Sequence, residues 1–186
     1  MTTFESIIKR GSNRGFQSGQ ISDEDLNKIL DAGEMAPIAS KDYGKMAITV
    51  IQESILLKKI VKTISAYLER PTIDPLYHAP TFIIISGKEY PPFQFGSSNP
   101  IPQPNLEYIN AGCIIENMML AATDLNIGSV CITGALYAFT LEKDLLEPLH
   151  LSDGFRPLSG LAVGYPQKPL PQRRKRTRKI AVSFIK

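Results

Sequence analysis

The feature that most constrains the fold is a long segment, residues 106–125, which is apolar on nearly every side when it is placed on a helix. A helix at a protein surface has one apolar stripe, so a helix of this kind is expected to be central. Residues 81–86, with the sequence TFIIIS, lie between Pro80 and Gly87. A β-branched run with such boundaries is typical of a buried central strand. The two segments predict a core that contains both helix and strand.

Hydrophobic periodicity and capping residues predict the remaining elements. Four further helices are expected: residues 3–9, the segment from the N-cap Ser22 to Ala36-Pro37, residues 53–68 and residues 141–147. Three further strands are expected over residues 46–52, 129–132 and 158–163. This mixture predicts one α+β domain over residues 1–186. Residues 88–104 form a long proline-rich loop, and the apolar residues 180–185 are expected to pair with another surface, such as a second subunit.

Two windows near opposite ends of the chain hold the excess positive charge. Residues 9–14 contain three basic side chains and residues 173–179 contain six, with no acid in either window. Without those nine, the 21 Lys and Arg fall to 12, against 18 Asp and Glu, although the whole chain has a net charge of +3. Clustered basic groups on an otherwise acidic chain indicate a bound anion.

Composition excludes several other classes of protein. Cys113 and Cys131 lie 18 residues apart and fit neither a disulfide framework nor the spacing of a zinc site. With two histidines in the chain, no metal site is expected. The N-terminus lacks the apolar stretch of a signal peptide, and no apolar run approaches the ~20 residues of a membrane span. We therefore expect a soluble, cytoplasmic protein with no membrane partner.

The first basic window continues into a short loop, residues 9–16, with the sequence KRGSNRGF. Two guanidinium groups, a hydroxyl and flexible glycine backbone within one loop suit a phosphate. This is not a Walker loop, because no Gly-Lys-Ser/Thr follows, and no Gly-x-Gly-x-x-Gly follows a strand. Taken alone, the loop is also compatible with a solvated turn that carries surface charge.

The same loop resembles the opening motif of the FMN-dependent nitroreductase family, Arg-Arg-Ser-x-Arg-x-Phe/Tyr. Five further stretches resemble motifs of that family in the family's order. They are the second helix (residues 20–33), the Ala-Pro-Ser loop (34–40), the entry to a core strand (77–80), the central helix with its glycine turn (116–129) and the C-terminal Gly-Tyr-Pro (164–166). Each motif is weakly specific alone, but six in order resemble the family over nearly the whole chain.

The resemblance implies a homodimer with FMN at the subunit interface. Its fold is expected to be a three-layer α+β sandwich, in which helices flank a mixed or antiparallel sheet and the C-terminal segment extends to the partner subunit. The implied phosphate-binding residues are Arg10, Gly11, Ser12 and Arg14, together with Arg174 and Arg176, which are favoured among the C-terminal basic residues. The residues implied near the flavin ring are Pro37, Ile38, Ala39 and Lys41, and also Ile132, Thr133 and Gly134, where a backbone N–H faces flavin N5.

The implied activity is hydride transfer from NAD(P)H through FMN to a nitroaromatic, quinone or similar flat acceptor, by a ping-pong mechanism. The flavin carries the chemistry, so no side chain is assigned as a catalytic acid or base. Residues 41–45 depart from the family, because Lys41 replaces the usual Asn and the chain has no Trp. Lys41 either offsets charge on the reduced flavin or points to solvent, and the departure leaves the acceptor open.

Three alternative functions stay open on the sequence alone. The first two keep the fold: a relative that reduces one specific metabolite or cleaves its own flavin, and a protein that stores or senses flavin without turnover. The third is a nucleic-acid-binding protein that uses residues 173–179. The acidic remainder of the chain would repel DNA, and no aromatic residue is interleaved with that tract, so nucleic acid is not the expected partner.

Overall fold

A four-stranded antiparallel sheet lies at the centre of the fold. The computed structural model describes residues 1–102, 105–170 and 180–185. Within them the strands follow the spatial order β1-β2-β4-β3, and every neighbouring pair is antiparallel. The strands are β1 (Met46–Ile51), β2 (Thr81–Lys88), β3 (Gly128–Ile132) and β4 (Phe155–Gly164). The sheet prediction is confirmed in its antiparallel form, with β3 at one edge.

Helices cover both faces of the sheet. They are α1 (Thr3–Lys9), α2 (Asp23–Glu34), α3 (Ser54–Tyr67), α4 (Leu106–Asp124) and α5 (Ala138–Leu141). Helices α2 and α4 pack with Ile83 and Ile85 of β2 on one face, whereas α3 and α5 pack with Phe82 and Ile84 on the other. Successive side chains of a strand point to opposite faces, so a strand covered on both sides needs a continuous apolar run. This explains the sequence of β2 and gives the predicted three layers.

Helix α4 is the central helix that the sequence predicts. Most of its apolar side chains are buried, including Ile114, Met118 and Ala122, whereas Tyr108 and Ile109 in its first turns are exposed. It buries two polar side chains near its N-terminus, Glu107 and Asn110, and both take part in the candidate site.

The prediction of a helix over residues 141–147 is wrong. Helix α5 ends at Leu141, and two 3-10 turns follow, Lys143–Leu145 and Glu147–Leu149. Between α5 and the first of these turns, Glu142 has an extended backbone (φ −126°, ψ 96°), and its carboxylate accepts a hydrogen bond of 2.7 Å from Thr63 of α3. This tertiary contact and Pro148, which lacks a backbone N–H, prevent a continuous helix.

Strand β4 begins three residues before the predicted strand. Its first part contains Pro157, which pairs with Ser86 where the register with β2 shifts. Proline is tolerated in a sheet at such a bulge.

The segments outside the sandwich have little regular structure. In the loop that follows β2, Phe93 and Ile101 form an isolated antiparallel bridge. Residues 180–185 form no strand, and the side chains of Ile180, Phe184 and Ile185 are exposed. Their predicted extension to a partner subunit stays a prediction. Among the helices in the described part of the chain, none has the length and hydropathy that crossing a membrane requires.

Candidate functional site

The opening basic loop is attached to the start of edge strand β3. Ser12 pairs with Ser129 in an isolated parallel bridge, and the N–H of Asn13 donates to the carbonyl oxygen of Ser129 at 2.9 Å. The Asn13 side chain occupies the space over Gly128, where an added Cβ would lie 2.6 Å from Asn13 Nδ2. Gly128 is therefore required for the close approach of the loop, which extends the free edge of β3.

The other end of the loop is attached to the segment after β4. Phe16 is buried, and the N–H of Gln17 donates to the carbonyl of Tyr165 at 2.8 Å. The N–H of Gln167 donates to the carbonyl of Gly15 at 3.0 Å. Arg173, the first residue of the second basic window, follows six residues after Gln167. Six residues span at most about 22 Å, so this attachment limits how far Arg173 can lie from Gln167, and residues 171–179 are outside the described residues.

Two arginines of the opening loop, the partly buried Arg10 and the exposed Arg14, have different neighbours. Arg10 Nε lies 3.3 Å from the Glu116 carboxylate of α4. The guanidinium of Arg14 lies 5.9 Å from the centre of the Tyr77 ring, which is within the range of a cation–π contact. Among the described residues, Arg14 has no carboxylate partner. The predicted Arg174 and Arg176 lie outside the described residues.

The donor set of this loop fits a phosphate. A guanidinium has five N–H donors, so Arg10 keeps donors available while its Nε faces Glu116. Arg14 and the Ser12 hydroxyl add further donors from the same four-residue stretch. Beneath the loop, the Ser129 hydroxyl is buried and has no hydrogen-bond partner in the part of the chain that the structure describes. Basic side chains with one nearby carboxylate can hold a dianion, and FMN carries one at the end of its ribityl chain.

The opposite end of β3 carries the second predicted group. Ile132 is buried in the core, so only its backbone faces outward, and Thr133 and Gly134 follow at the start of a 3-10 turn. A Cβ added at Gly134 would meet no atom within 4 Å, so the space beside this backbone is open. Four residue steps separate Thr133 from Ser129, about 13 Å along an extended strand. A ligand with an anion at one end and a flat ring at the other fits this arrangement.

A cavity of about 450 Å³ lies beside Thr133. Its lining includes Tyr108 of α4 and Arg156 of β4. Arg156 Nη2 donates to the buried carboxylate of Glu107 at 2.9 Å, and its guanidinium lies 5.7 Å from the centre of the Tyr108 ring. A hydrogen bond with Tyr108 raises the pKa of Arg156 above its usual value, so the guanidinium stays charged. The cavity thus combines an aromatic face with fixed hydrogen-bond donors.

Sequence reasoning did not identify Glu107 and Arg156. The available signal was a carboxylate in the first turn of a predominantly apolar helix, because a buried charge needs a partner from elsewhere in the fold. The sequence gives no indication of which basic residue supplies it, since Arg156 lies 49 residues away.

The third predicted group, residues 37–41, contacts a different part of α4. The N–H of Ala39 donates to Asn110 Oδ1 at 3.0 Å, whereas Arg10 pairs with Glu116, six residues further along the helix. Six residues correspond to about 9 Å of axis and a different helix face. No hydrogen bond or ion pair within residues 1–102 and 105–170 joins this loop to Arg10 or Arg14. Within the described residues of one chain, the two predicted groups therefore contact different faces of α4.

Another cavity, with a volume of about 580 Å³, lies elsewhere in the described part of the chain. It lies between α3 and residues 71–80, and its lining includes Lys58, Lys62, Asp74 and His78. None of the residues predicted to bind flavin lines it. His78 Nδ1 lies 2.8 Å from the Asp74 carboxylate, so these two groups satisfy each other. We assign no function to this cavity.

The geometry defines a three-layer α+β protein whose edge strand carries a cationic loop at one end and an open turn at the other. A crystal structure of a nitroreductase with bound FMN from Bacteroides fragilis resembles this chain with a TM-score of 0.80 and 25% identity, covering 100% of both chains. An FMN-dependent nitroreductase from Clostridium difficile R20291 has a TM-score of 0.75 and 26% identity, covering 98% of this chain and 99% of that chain.

Sequence comparison leads to the same family. An FMN reductase (NAD(P)H) of Bacillus subtilis is 27% identical over 183 residues, covering 90% of this chain and 70% of that protein. The model of the nitroreductase family matches residues 7–165. The chain therefore belongs to the nitroreductase family. This confirms the family and the α+β sandwich that the six motifs predicted.

Proposed function

We propose that this chain is an FMN-dependent oxidoreductase that takes hydride from NAD(P)H and delivers it to a nitroaromatic, quinone or similar flat acceptor by a ping-pong mechanism. The observation that carries the proposal is the pair of groups at the two ends of β3, the Arg10–Arg14 loop and the Thr133–Gly134 turn. The names of the relatives, an FMN reductase (NAD(P)H) and an FMN-dependent nitroreductase, support both the cofactor and the class of reaction.

In this proposal, the opening loop binds the flavin phosphate. Arg10 and Arg14 donate charged hydrogen bonds, the Ser12 hydroxyl adds a donor, and Gly11 keeps the backbone accessible. Arg174 and Arg176 complete the anion site from the second basic window. The backbone bonds that Gly15 and Gln17 make to Gln167 and Tyr165 support this convergence, because those two residues precede that window by only a few positions in the sequence.

The turn after β3 faces the ring. When bound, FMN supplies the acceptance and donation of hydride. The backbone of Ile132, Thr133 and Gly134 orients the ring, and a backbone N–H there donates a hydrogen bond to flavin N5. The open space beside Gly134 supports this role, since a side chain would obstruct a flat ring. The cavity beside Thr133, with Tyr108 and Arg156 in its lining, offers room for a flat molecule next to that ring.

The homodimer is part of the same proposal. Pro37, Ile38, Ala39 and Lys41 line the flavin ring, yet in one chain this loop and the opening loop contact different faces of α4. In a homodimer, one subunit can supply the opening loop and the other can supply residues 37–41 to the same FMN. The exposed apolar side chains of residues 180–185 and of Tyr108 and Ile109 support a subunit contact. Residues 1–186 then act as one FMN-binding domain in each subunit.

The proposal is tested in two stages on the purified full-length protein. FMN is titrated first and followed by flavin fluorescence. NADH or NADPH oxidation is then measured with 4-nitrobenzoate and with a naphthoquinone. We expect saturable FMN binding, and turnover whose double-reciprocal plots are parallel for the two substrates. Absence of FMN binding would refute the whole proposal. Binding without turnover, with either nicotinamide and either acceptor, would leave flavin storage or sensing, and intersecting plots would exclude the ping-pong mechanism.

A further inference from the structure

A closed set of three hydrogen bonds holds the loop of residues 37–41. The N–H of Ala39 donates to Asn110 Oδ1 at 3.0 Å, and Asn110 Nδ2 donates to the Tyr90 hydroxyl at 3.0 Å. The Tyr90 hydroxyl in turn donates to the carbonyl of Ala39 at 3.3 Å. Both polar groups of one peptide segment are thus fixed by two side chains from elsewhere in the sequence. We name Ala39, Tyr90 and Asn110 the loop clamp.

The clamp is built into the protein interior. Asn110 is 2% exposed and Tyr90 is 7% exposed, so water has little access to their hydrogen bonds and does not compete for them. The ammonium of Lys45 lies 4.3 Å from the centre of the Tyr90 ring, which restrains the ring from its face. Asn110 uses both its oxygen and its nitrogen in the clamp, and this fixes the orientation of its amide.

The clamp acts directly before two strained residues. Ser40 (φ 57°) and Lys41 (φ 55°) are consecutive and both left-handed, which is uncommon for residues other than glycine. Such a residue is strained and persists only when its surroundings determine its conformation. Backbone bonds from Lys41 to Ile38 and from Asp42 to Ala39 continue the turn, whereas the side chains of Asn110 and Tyr90 provide hydrogen bonds from outside the loop.

We infer that Asn110 and Tyr90 are positioning residues that hold the strained loop so that the exposed Lys41 ammonium stays beside the flavin ring. The inference rests on the proposed function, in which residues 37–41 line that ring. A fixed positive charge there stabilises negative charge on the reduced flavin and raises its reduction potential. The same charge on a loosely held loop spends less time near the ring and interacts more with water.

Hydrogen exchange tests the clamp without flavin. We expect Tyr90→Phe, which keeps the ring and removes the hydroxyl, to increase amide exchange at Ala39 and Asp42 in the flavin-free protein. Asn110→Ala removes the direct acceptor of the Ala39 N–H, and the increase there should be about threefold to tenfold, the range for loss of one hydrogen bond. Tyr67→Phe, at an exposed tyrosine on α3, is the matched control and should change neither amide. Unchanged exchange in Tyr90→Phe would overturn the clamp, whether or not Asn110→Ala folds.

A double-mutant cycle on the reduction potential of the FMN-loaded protein tests the positioning role. Lys41→Gln should shift the midpoint potential to a more negative value, and the shift should be less than half as large in the Tyr90→Phe background. A merely structural role for Tyr90 predicts equal shifts in both backgrounds, and that result would refute the inference. If the wild-type protein binds no FMN, the proposed function fails and the positioning role fails with it. The exchange measurement still decides separately whether the clamp exists.

Discussion

Replacing Arg10 with alanine tests the assignment of the opening loop to the flavin phosphate. A hydrogen bond to a charged group contributes about 1.5–3 kcal/mol, so its loss should weaken FMN binding about 10- to 150-fold. The Arg10–Glu116 pair should contribute little to stability, because the two side chains are 29% and 50% exposed and such pairs contribute at most about 1 kcal/mol. The expected result is therefore a large change in affinity with a small change in melting temperature.

The variant to compare with Arg10→Ala is Glu116→Gln, which changes the ion-pair partner of the same arginine. Its carboxylate lies 3.3 Å from Arg10 Nε and competes with a bound phosphate for the guanidinium. Glu116→Gln removes this negative charge, so FMN should bind up to about fivefold more tightly, the equivalent of the at most about 1 kcal/mol that such an exposed pair contributes. The opposite signs expected for Arg10→Ala and Glu116→Gln distinguish an electrostatic effect at the anion site from general damage to α1 or α4.

The assay is FMN titration by fluorescence at one fixed ionic strength, since salt screens contacts between exposed charges. Arg70→Ala, at an exposed arginine remote from the opening loop in sequence, controls for the loss of one positive charge. It should leave the dissociation constant unchanged. A dissociation constant for Arg10→Ala within twofold of the wild-type value would refute the placement of Arg10 at the phosphate.

Three further predictions concern the fold around the site. Gly128→Ala should lower the free energy of unfolding by about 1–3 kcal/mol in urea titrations, because its Cβ would lie 2.6 Å from Asn13 Nδ2. Asn13→Ala should restore most of that loss, and no restoration would contradict the packing argument. Arg156→Ala should destabilise the protein, because it leaves the buried carboxylate of Glu107 unpaired. Adding Glu107→Gln should recover stability in the same assay. A double variant that is no more stable than Arg156→Ala would contradict the role of the unpaired carboxylate. Burial raises the pKa of Tyr90, so its contribution to stability is full below the ordinary tyrosine value of about 10 and is lost above it. The stability difference between wild type and Tyr90→Phe should therefore shrink in urea titrations above pH 10, and a constant difference would argue against the shift.

Much of the secondary structure was predictable because its signals are local. Ser22 is the N-cap of α2, where its hydroxyl accepts the N–H of Asp25, as the acidic first turn indicated. The bounds of α3 and α4 lie within one residue of the prediction. The prediction failed at residues 141–147, where an apolar pattern favoured a helix and the bond from Thr63 to Glu142 favoured a break. A contact between residues 79 positions apart leaves no local trace in sequence.

The candidate site was predictable in composition but not in arrangement. The sequence indicated the basic loop and the glycine turn after β3 through their resemblance to family motifs, since the loop taken alone is also compatible with a solvated turn. It did not indicate Asn110 or Tyr90, whose roles depend on contacts with Ala39 over 71 and 51 positions. Buried polar residues in apolar segments are a signal that some partner exists, but they do not specify which one.

The sequence by itself determined the types of element, the family and the presence of two basic windows at the ends of the chain. Only the tertiary structure decided that the first window borders the start of β3 and is hydrogen-bonded to Tyr165 and Gln167, a few residues before the second window in the sequence. It also decided that residues 37–41 contact a different face of α4 from the one that Arg10 contacts. The physical reason is that helix and strand propensities act over a few neighbouring residues. The distances between loops depend instead on strand order and on hydrogen bonds between residues that are remote in the chain.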